Sequence, residues 1–401
     1  MRMLEKSTLD ELSRIVDDLE LLMHNIGDAG LSPDIEDVIK VAMMQVNDGL
    51  YASPDINFAA VDVGFDIENV ARDAMAVLKA MIPVWRLSFK RRSGLNVDSR
   101  FWSIYEYFKY IDRDRIIANS IKWFNTYSEE YRRQYMSLPM RYTFLTGRLD
   151  VDANDYSLIE IYTDMMQSEI EEYKWFYEKL SDYKSKELLV GIIRYMFTFN
   201  LESLSGITEN IFEDYYDLDL VPPGSCKVFV DCGAFIGDSV LSFIKEYGRD
   251  SYSKIYAYEI DPKNVESFKH NLEGFSNIEI REKGVGKEKG ELFLNITADG
   301  EGSRLAEAGE NRVTVVSLDD DIEEPIDVIK MDIEGAETDA LMGAIKHIKE
   351  EKPKLLICTY HKPADIFEIP KLIESMRSDY KFYLRYNGRG IWPCDYVLFA
   401  V

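Results

Sequence analysis

Val228-Phe-Val-Asp-Cys-Gly-Ala-Phe-Ile-Gly-Asp-Ser239 changes character twice within twelve residues. The apolar run from Cys226 to Val230 is short and rich in β-branched and aromatic side chains, so it reads as a buried strand. It ends at Asp231, and Gly233 and Gly237 follow in a tight turn of mostly small residues. From Ser239 onward Val240, Leu241, Phe243 and Ile244 recur at helical spacing. Strand, glycine turn and helix in that order are how a doubly wound α/β sheet builds a nucleotide site. Glycine admits positive φ and close approach of a ligand to the backbone, and a helix start offers unpaired N–H groups.

The glycine spacing narrows the ligand. A dinucleotide fingerprint needs G-x-G-x-x-G, with the helix start facing a pyrophosphate. Here the turn is Gly233-x-x-x-Gly237, and a carboxylate, Asp231, stands at the strand end. An acid there repels a pyrophosphate but can accept hydrogen bonds from an ammonium or a hydroxyl. The pattern points to a cationic nucleoside without phosphate, such as S-adenosylmethionine. The next strand, Lys254-Ile-Tyr-Ala-Tyr-Glu259, also ends in an acid, placed to bind both ribose hydroxyls.

Beyond residue 225 strands and helices alternate. Strands are expected at Cys226–Asp231, Lys254–Glu259, Asn277–Arg281, Asp327–Met331, Lys354–Thr359, Tyr380–Arg385 and Tyr396–Val401. Helices are expected near Gly237–Tyr247, Pro262–Leu272, Glu337–Lys349 and Asp365–Ser378. This alternation predicts an α/β fold with a parallel sheet and right-handed crossovers. The last two strands have no helix between them and predict a terminal antiparallel hairpin. A β segment at Glu291–Thr297 and Arg312–Ser317 interrupts the series.

The first 150 residues predict a mainly α-helical N-terminal domain of unknown role, and 151–224 a helical lead-in and linker. Thr8-x-x-Glu11 is a capping box, Ser32-Pro33 opens a second helix, and a third runs from about Ile67 to Ile82. Helical patterns continue from Asn154 to Leu180, from Ser185 to about Phe199 and from Leu204 to Tyr216. Asp217-Leu-Asp-Leu-Val-Pro-Pro-Gly224 is the linker into the sheet. Four of the five tryptophans precede the sheet, and their rings are expected to fill a helical core. The basic cluster Lys90-Arg91-Arg92, with Arg132, Arg133, Arg141 and Arg148, is expected to be solvated.

At 401 residues the chain is long enough for two cores, and its 46% hydrophobic content excludes general disorder. A net charge of −25 disfavours nucleic acid and anionic lipid as partners. No signal-peptide pattern or membrane-length apolar run is present, and Cys226, Cys232, Cys358 and Cys394 show no C-x-x-C pairing. A cytoplasmic location with buried free thiols is the expectation.

A second strand, Asp327-Val-Ile-Lys-Met-Asp-Ile-Glu-Gly-Ala-Glu337, also ends in charge. In an open α/β sheet ligands lie outside the carboxyl ends of the strands, so Asp332 and Glu334 share a rim with Asp231 and Glu259. Glu337 reads as a helix-capping acid. The fifth strand ends Ile357-Cys-Thr-Tyr-His361 and brings an imidazole to the same edge.

Phe229-Val-Asp-Cys-Gly-Ala-Phe-Ile-Gly-Asp238, Tyr256-Ala-Tyr-Glu-Ile-Asp-Pro262, Val316-Ser-Leu-Asp319 and Ile329-Lys-Met-Asp-Ile-Glu-Gly-Ala-Glu337 resemble the motif set of FkbM-type methyltransferases, over about residues 225–401. The resemblance implies a Rossmann-like class I methyltransferase sheet and S-adenosyl-L-methionine as cofactor. It implies that Asp231, Gly233, Ala234 and Gly237 surround the methionine part, with Phe235, Asp238, Ser239 and Asp332 completing the set. Glu259 would take the ribose, Ile260 the adenine face, and the loop Glu282-Lys-Gly-Val285, with Gly284 and Val285, the adenine edge. Family members typically O-methylate hydroxyls of secondary metabolites or glycan sugars.

The expected reaction is an in-line methyl transfer to a hydroxyl, with Asp332, His361 and Glu334 as the candidates for a base. No metal ligand is assigned, and the extra acids in Ser317-Leu-Asp-Asp-Asp321, which could hold a divalent ion, are expected to be solvated. The partner is a small-molecule or glycan acceptor, and the helical half is the expected surface for a homo-oligomer. The alternatives are a non-catalytic methyltransferase-fold interaction protein and a metal-dependent sugar O-methyltransferase.

Overall fold

The computed structural model describes residues 96–136, 147–200, 203–204, 206–295, 304–306, 311–388 and 394–401. The capping box at Thr8, the Ser32-Pro33 start, the helix at 67–82 and the Lys90–Arg92 cluster lie outside them. All described residues fall within one compact unit, Val84–Val401.

Among the described residues six helices come first: α1 Val97–Tyr110, α2 Arg113–Thr126, α3 Glu129–Met136, α4 Ser157–Ser168, α5 Ile170–Lys179 and α6 Tyr183–Thr198. Short polar residues start three of them, with the side chains of Asn96, Asp112 and Asp182 accepting first-turn N–H bonds. Phenylalanine and tyrosine fill this core: Phe101, Phe124, Tyr135, Tyr173, Phe176 and Tyr177 are all sealed from solvent. The described tryptophans do not fill it as expected, and Trp85 lies outside the described residues. Trp102 is 37% exposed, and Trp123 and Trp175 are only partly covered, because each ring sits at the edge of its helix's apolar stripe.

Then follow β1 Val228–Cys232, α7 Asp238–Tyr247, β2 Lys254–Tyr258, α8 Pro262–Asn271 and β3 Ile278–Arg281. A smaller sheet contributes β4 Gly284–Val285, β5 Gly290–Asn295, β6 Arg304–Ala306 and β7 Asn311–Val316. After α9 Leu318–Asp321 come β8 Val328–Met331, α10 Glu337–Met342, α11 Ile345–Glu350, β9 Lys354–Cys358, α12 Asp365–Met376, β10 Phe382–Tyr386 and β11 Tyr396–Ala400. The large sheet has the order β10-β11-β9-β8-β1-β2-β3. β9, β8, β1, β2 and β3 run parallel, and β11 is antiparallel to both β9 and β10. The expected hairpin is therefore present, with its second strand inserted inside the sheet. Alternation of strand and crossover helix explains why β1, β8 and β9 are buried almost throughout on both faces.

Three expected elements differ. The long helical pattern from Asn154 to Leu180 is two helices, α4 and α5, parted at Glu169. The segment 204–216 contains no α-helix among its described residues: Gly206 and Tyr215 both have positive φ, and the Glu209 carboxylate takes the N–H groups of Asn210 and Ile211. The single helix expected over Glu337–Lys349 is two short ones. A Cβ on Gly343 would lie 2.0 Å from the Gly286 carbonyl oxygen, and the Gly343 carbonyl accepts the Asp319 N–H, so the break lets two chain segments touch.

The helices are bonded to the sheet edge. The Ser181 N–H donates to the Phe382 carbonyl, and the buried Arg385 guanidinium bridges Asp182 and Asp217. All four cysteines are buried, and none forms a disulfide. Among the described residues no helix is long and apolar enough to cross a membrane.

Candidate active site

The turn after β1 is locked from two sides. The Gly233 and Ala234 N–H groups donate to the Tyr258 carbonyl at 3.0 and 2.9 Å. Gly233 has φ +78, and a Cβ there would lie 1.9 Å from the Asp332 carbonyl oxygen, so the loops after β1 and β8 are in direct backbone contact. Only glycine meets both conditions. Gly237 caps α7 with φ +86, packed against Phe268 and Leu272, while Asp238 opens that helix where its dipole favours an acid.

Asp231 does not reach into the crevice. Its carboxylate is fully buried, 3.0 Å from Lys330 Nζ, and accepts a hydrogen bond from the Ser239 hydroxyl. Lys330 also donates to the Gly233 carbonyl at 2.8 Å. Burial pushes the Lys330 ammonium down, but the charges of Asp231 and Asp332 more than offset it and hold its pKa above the usual value.

Glu259 is nearly sealed and rigid. Its Oε2 accepts the Phe235 N–H at 2.8 Å, and its Oε1 accepts those of Ile260 and Asp261 at 2.7 Å each. Burial raises its carboxyl despite these donors. Gly284 and Val285 lie in β4, buried and paired with Val315 and Val316 of β7. Nearby, Asp321 gathers Lys283, Arg281 and the Tyr258 hydroxyl.

The ends of β8 and β9 bring together Asp332, Glu334 and His361. His361 is 4% exposed; its Nε2 lies 3.3 Å from Asp332 Oδ1 and 3.7 Å from Glu334 Oε2, and its Nδ1 lies 2.9 Å from Glu337 Oε1. Glu337 is itself held by the Ile333 and Gly335 N–H groups at 3.0 and 3.4 Å. Burial would lower the imidazole pKa, but Glu337, Asp332 and Glu334 together raise it to about 10. His361 is therefore an imidazolium at neutral pH. Burial also raises Asp332, yet His361, Lys330 and two tyrosine hydroxyls hold its carboxyl below the usual range. Those hydroxyls are Tyr215, 2.8 Å from Oδ2, and Tyr360, 3.2 Å from Oδ1.

The tyrosines and the histidine-holding role of Glu337 are not legible in the sequence. Tyr360 adjoins His361 and carries that one signal. Tyr215 carries none, since its partner is 117 positions away.

Residues 231–384 match the family described as Methyltransferase FkbM domain. A methyltransferase FkbM from Methylobacillus flagellatus KT aligns with TM-score 0.50 and 24% identity, over 61% of this chain and 61% of that one, which supports the fold. An rRNA methylase from Streptococcus thermophilus is 15% identical over 44% of this chain and 86% of that one, with TM-score 0.28. Fibrillarin of Aeropyrum pernix, solved with S-adenosyl-L-methionine, is 11% identical over 45% and 68%, with TM-score 0.29. No curated protein matches the chain. With the seven-stranded sheet and the motifs at the ends of β1, β2 and β8, residues 231–384 form a methyltransferase domain of the FkbM family.

Proposed function

We propose that the protein transfers a methyl group from S-adenosylmethionine to a hydroxyl oxygen of a sugar or secondary metabolite. The observation that carries this reading is the meeting of Asp332, Glu334 and His361 against the glycine turn of β1. When bound, the cofactor supplies a methyl group activated by a sulfonium. The residues present fit such a ligand: Glu259, Asp332 and Glu334 make a rim that favours positive charge and disfavours phosphate. Glu259 is fixed by three backbone N–H groups before any ligand arrives, which suits two ribose hydroxyls sharing its oxygens. Asp231 supports from beneath, holding Lys330 against the turn.

Asp332 is the base. It is ionised at neutral pH and about one-fifth exposed, so it is placed to take the proton of an acceptor hydroxyl. Such a group contributes about 10²–10⁴-fold. His361, already protonated, sits among Asp332, Glu334 and Glu337 as their common counter-charge. Radiolabelled methyl transfer to a panel of sugar and metabolite hydroxyls tests the reading: at saturating cofactor, Asp332→Asn should lose about 10²-fold or more in turnover. Near wild-type turnover in both Asp332→Asn and His361→Ala would remove this assignment.

One observation favours a second, metal-dependent reading. Donor atoms of Asp332, Glu334 and His361 all lie within 4.8 Å of one another. A divalent cation there would take the place of the imidazole proton among the carboxylates and offer positions to acceptor oxygens. The acids at 319–321 suit this less, because Asp319 accepts the Lys346 and His347 N–H groups and Asp321 is ion-paired. Loss of transfer in EDTA with recovery in Mg²⁺ supports the metal reading; full activity in EDTA supports the metal-free one.

A further inference from the structure

The family domain begins at residue 231, yet one hydroxyl on Asp332 comes from outside it. Residues 206–221 are tied down at both ends. The Glu209 N–H donates to the Tyr386 carbonyl at 2.6 Å, the Glu213 N–H to Glu246 at 2.8 Å, and the Tyr247 hydroxyl to the Val221 carbonyl at 2.8 Å. Between these ties Tyr216 donates to the Ser239 carbonyl at 2.8 Å. Beside it Tyr215 has φ +71, a conformation that a bulky residue keeps only where its surroundings impose it. That strained backbone aims the ring at the site, with Lys330 Nζ 5.0 Å from its centroid and the hydroxyl 2.8 Å from Asp332 Oδ2.

We infer that Tyr215 is a positioning residue for Asp332, and that the segment preceding the family domain completes the site. The terminal torsion of an aspartate is broad, so an unrestrained carboxylate sweeps its lone pairs over a wide arc. Tyr215 on Oδ2 and Tyr360 on Oδ1 hold opposite oxygens and fix the plane of the group. A base that must meet one acceptor hydroxyl gains from that restraint. The inference rests on the methyltransferase reading for what Asp332 does, but not for how it is held.

The test uses the full chain labelled with ¹³C at aspartate carboxyls, with S-adenosylhomocysteine as the probe ligand. Tyr215→Phe removes one hydroxyl and keeps the ring. Asp332 also faces Lys330, His361, Glu334, Tyr360 and Asp395, none of which the substitution alters. The Asp332 titration should move upward by about half a unit or more, because its ionised form loses a donor. Tyr360→Phe should move it the same way, and Tyr216→Phe should leave it in place. Affinity for S-adenosylhomocysteine should change less than about threefold in all three. A Tyr215→Phe titration that coincides with wild type while Tyr360→Phe shifts would overturn the inference, as would an equal shift in Tyr216→Phe. Failure of the wild-type protein to bind S-adenosylhomocysteine would count against the methyltransferase reading alone, since the carboxyl titration still reports how Asp332 is held.

Discussion

Lys330 and Asp231 form an ion pair at 3.0 Å in which the lysine side chain is 3% exposed and the aspartate not at all. Withdrawing two charges from water at the centre of the sheet costs free energy, which their mutual attraction and the nearby Asp332 charge work against. The pair is placed where β1 and β8 lie side by side, and its lysine reaches across to hold the Gly233 carbonyl.

Breaking that pair from one side leaves a stranded carboxylate. Lys330→Met should lower the unfolding free energy by about 3–5 kcal/mol. Combining it with Asp231→Leu should return much of the loss while leaving the glycine turn without its tether. Urea denaturation of the single and double variants measures this; additive losses would contradict it.

Gly233 should tolerate no side chain. Its φ of +78 and the 1.9 Å separation of a Cβ from the Asp332 carbonyl oxygen force the two loops apart. Gly233→Ala should cost several kcal/mol, roughly 3 or more, as overpacking and backbone strain combine. Gly274 also has positive φ, but nothing lies within 4 Å of its Cβ position, so Gly274→Ala should cost only about 1 kcal/mol. Thermal melts of the two variants give the comparison.

The His361 cluster makes stability depend on alkaline pH. The folded imidazole, held up to about 10 against burial by Glu337, Asp332 and Glu334, keeps its proton where the unfolded one has lost it. Its contribution is complete below the unfolded value near 6.5 and is lost as pH rises towards 10, on the order of a few kcal/mol. Asp365 acts in a lower window: burial and the Glu337 charge raise its carboxyl to about 7, so it costs stability increasingly from pH 4 to 7. Denaturant midpoints at pH 6.5 and 9.5 should fall with pH in the wild type and flatten in His361→Gln. Equal slopes would refute the ion cluster.

Much of this architecture is legible in the amino-acid sequence. β2 and β8 fall within a residue of their expected bounds, because each is an apolar run closed by an acid. The strand-end acids Glu259 and Asp332 and the imidazole of His361 follow from topology alone, since parallel strands carry their carboxyl ends to one edge. What they do there is not legible. Asp231 reads as a ligand-facing acid, whereas Lys330, one position from the end of β8, turns it inward. Glu337 reads as a cap and does hold the Ile333 N–H, but the same oxygen grips His361. Tyr215 lies in a stretch with helical spacing, and only contacts formed at long sequence separation bend that stretch over the sheet.

In the proposed function, acids at neighbouring strand ends hold a cationic, phosphate-free nucleoside. Calorimetric titration of S-adenosylhomocysteine into the wild-type protein and Glu259→Gln tests this most directly. One binding site is expected in the wild type, weakened about tenfold or more when glutamine can no longer accept at both oxygens, with no heat from NAD. Binding of NAD with silence from S-adenosylhomocysteine, or equal affinity in the folded variant, would contradict the account.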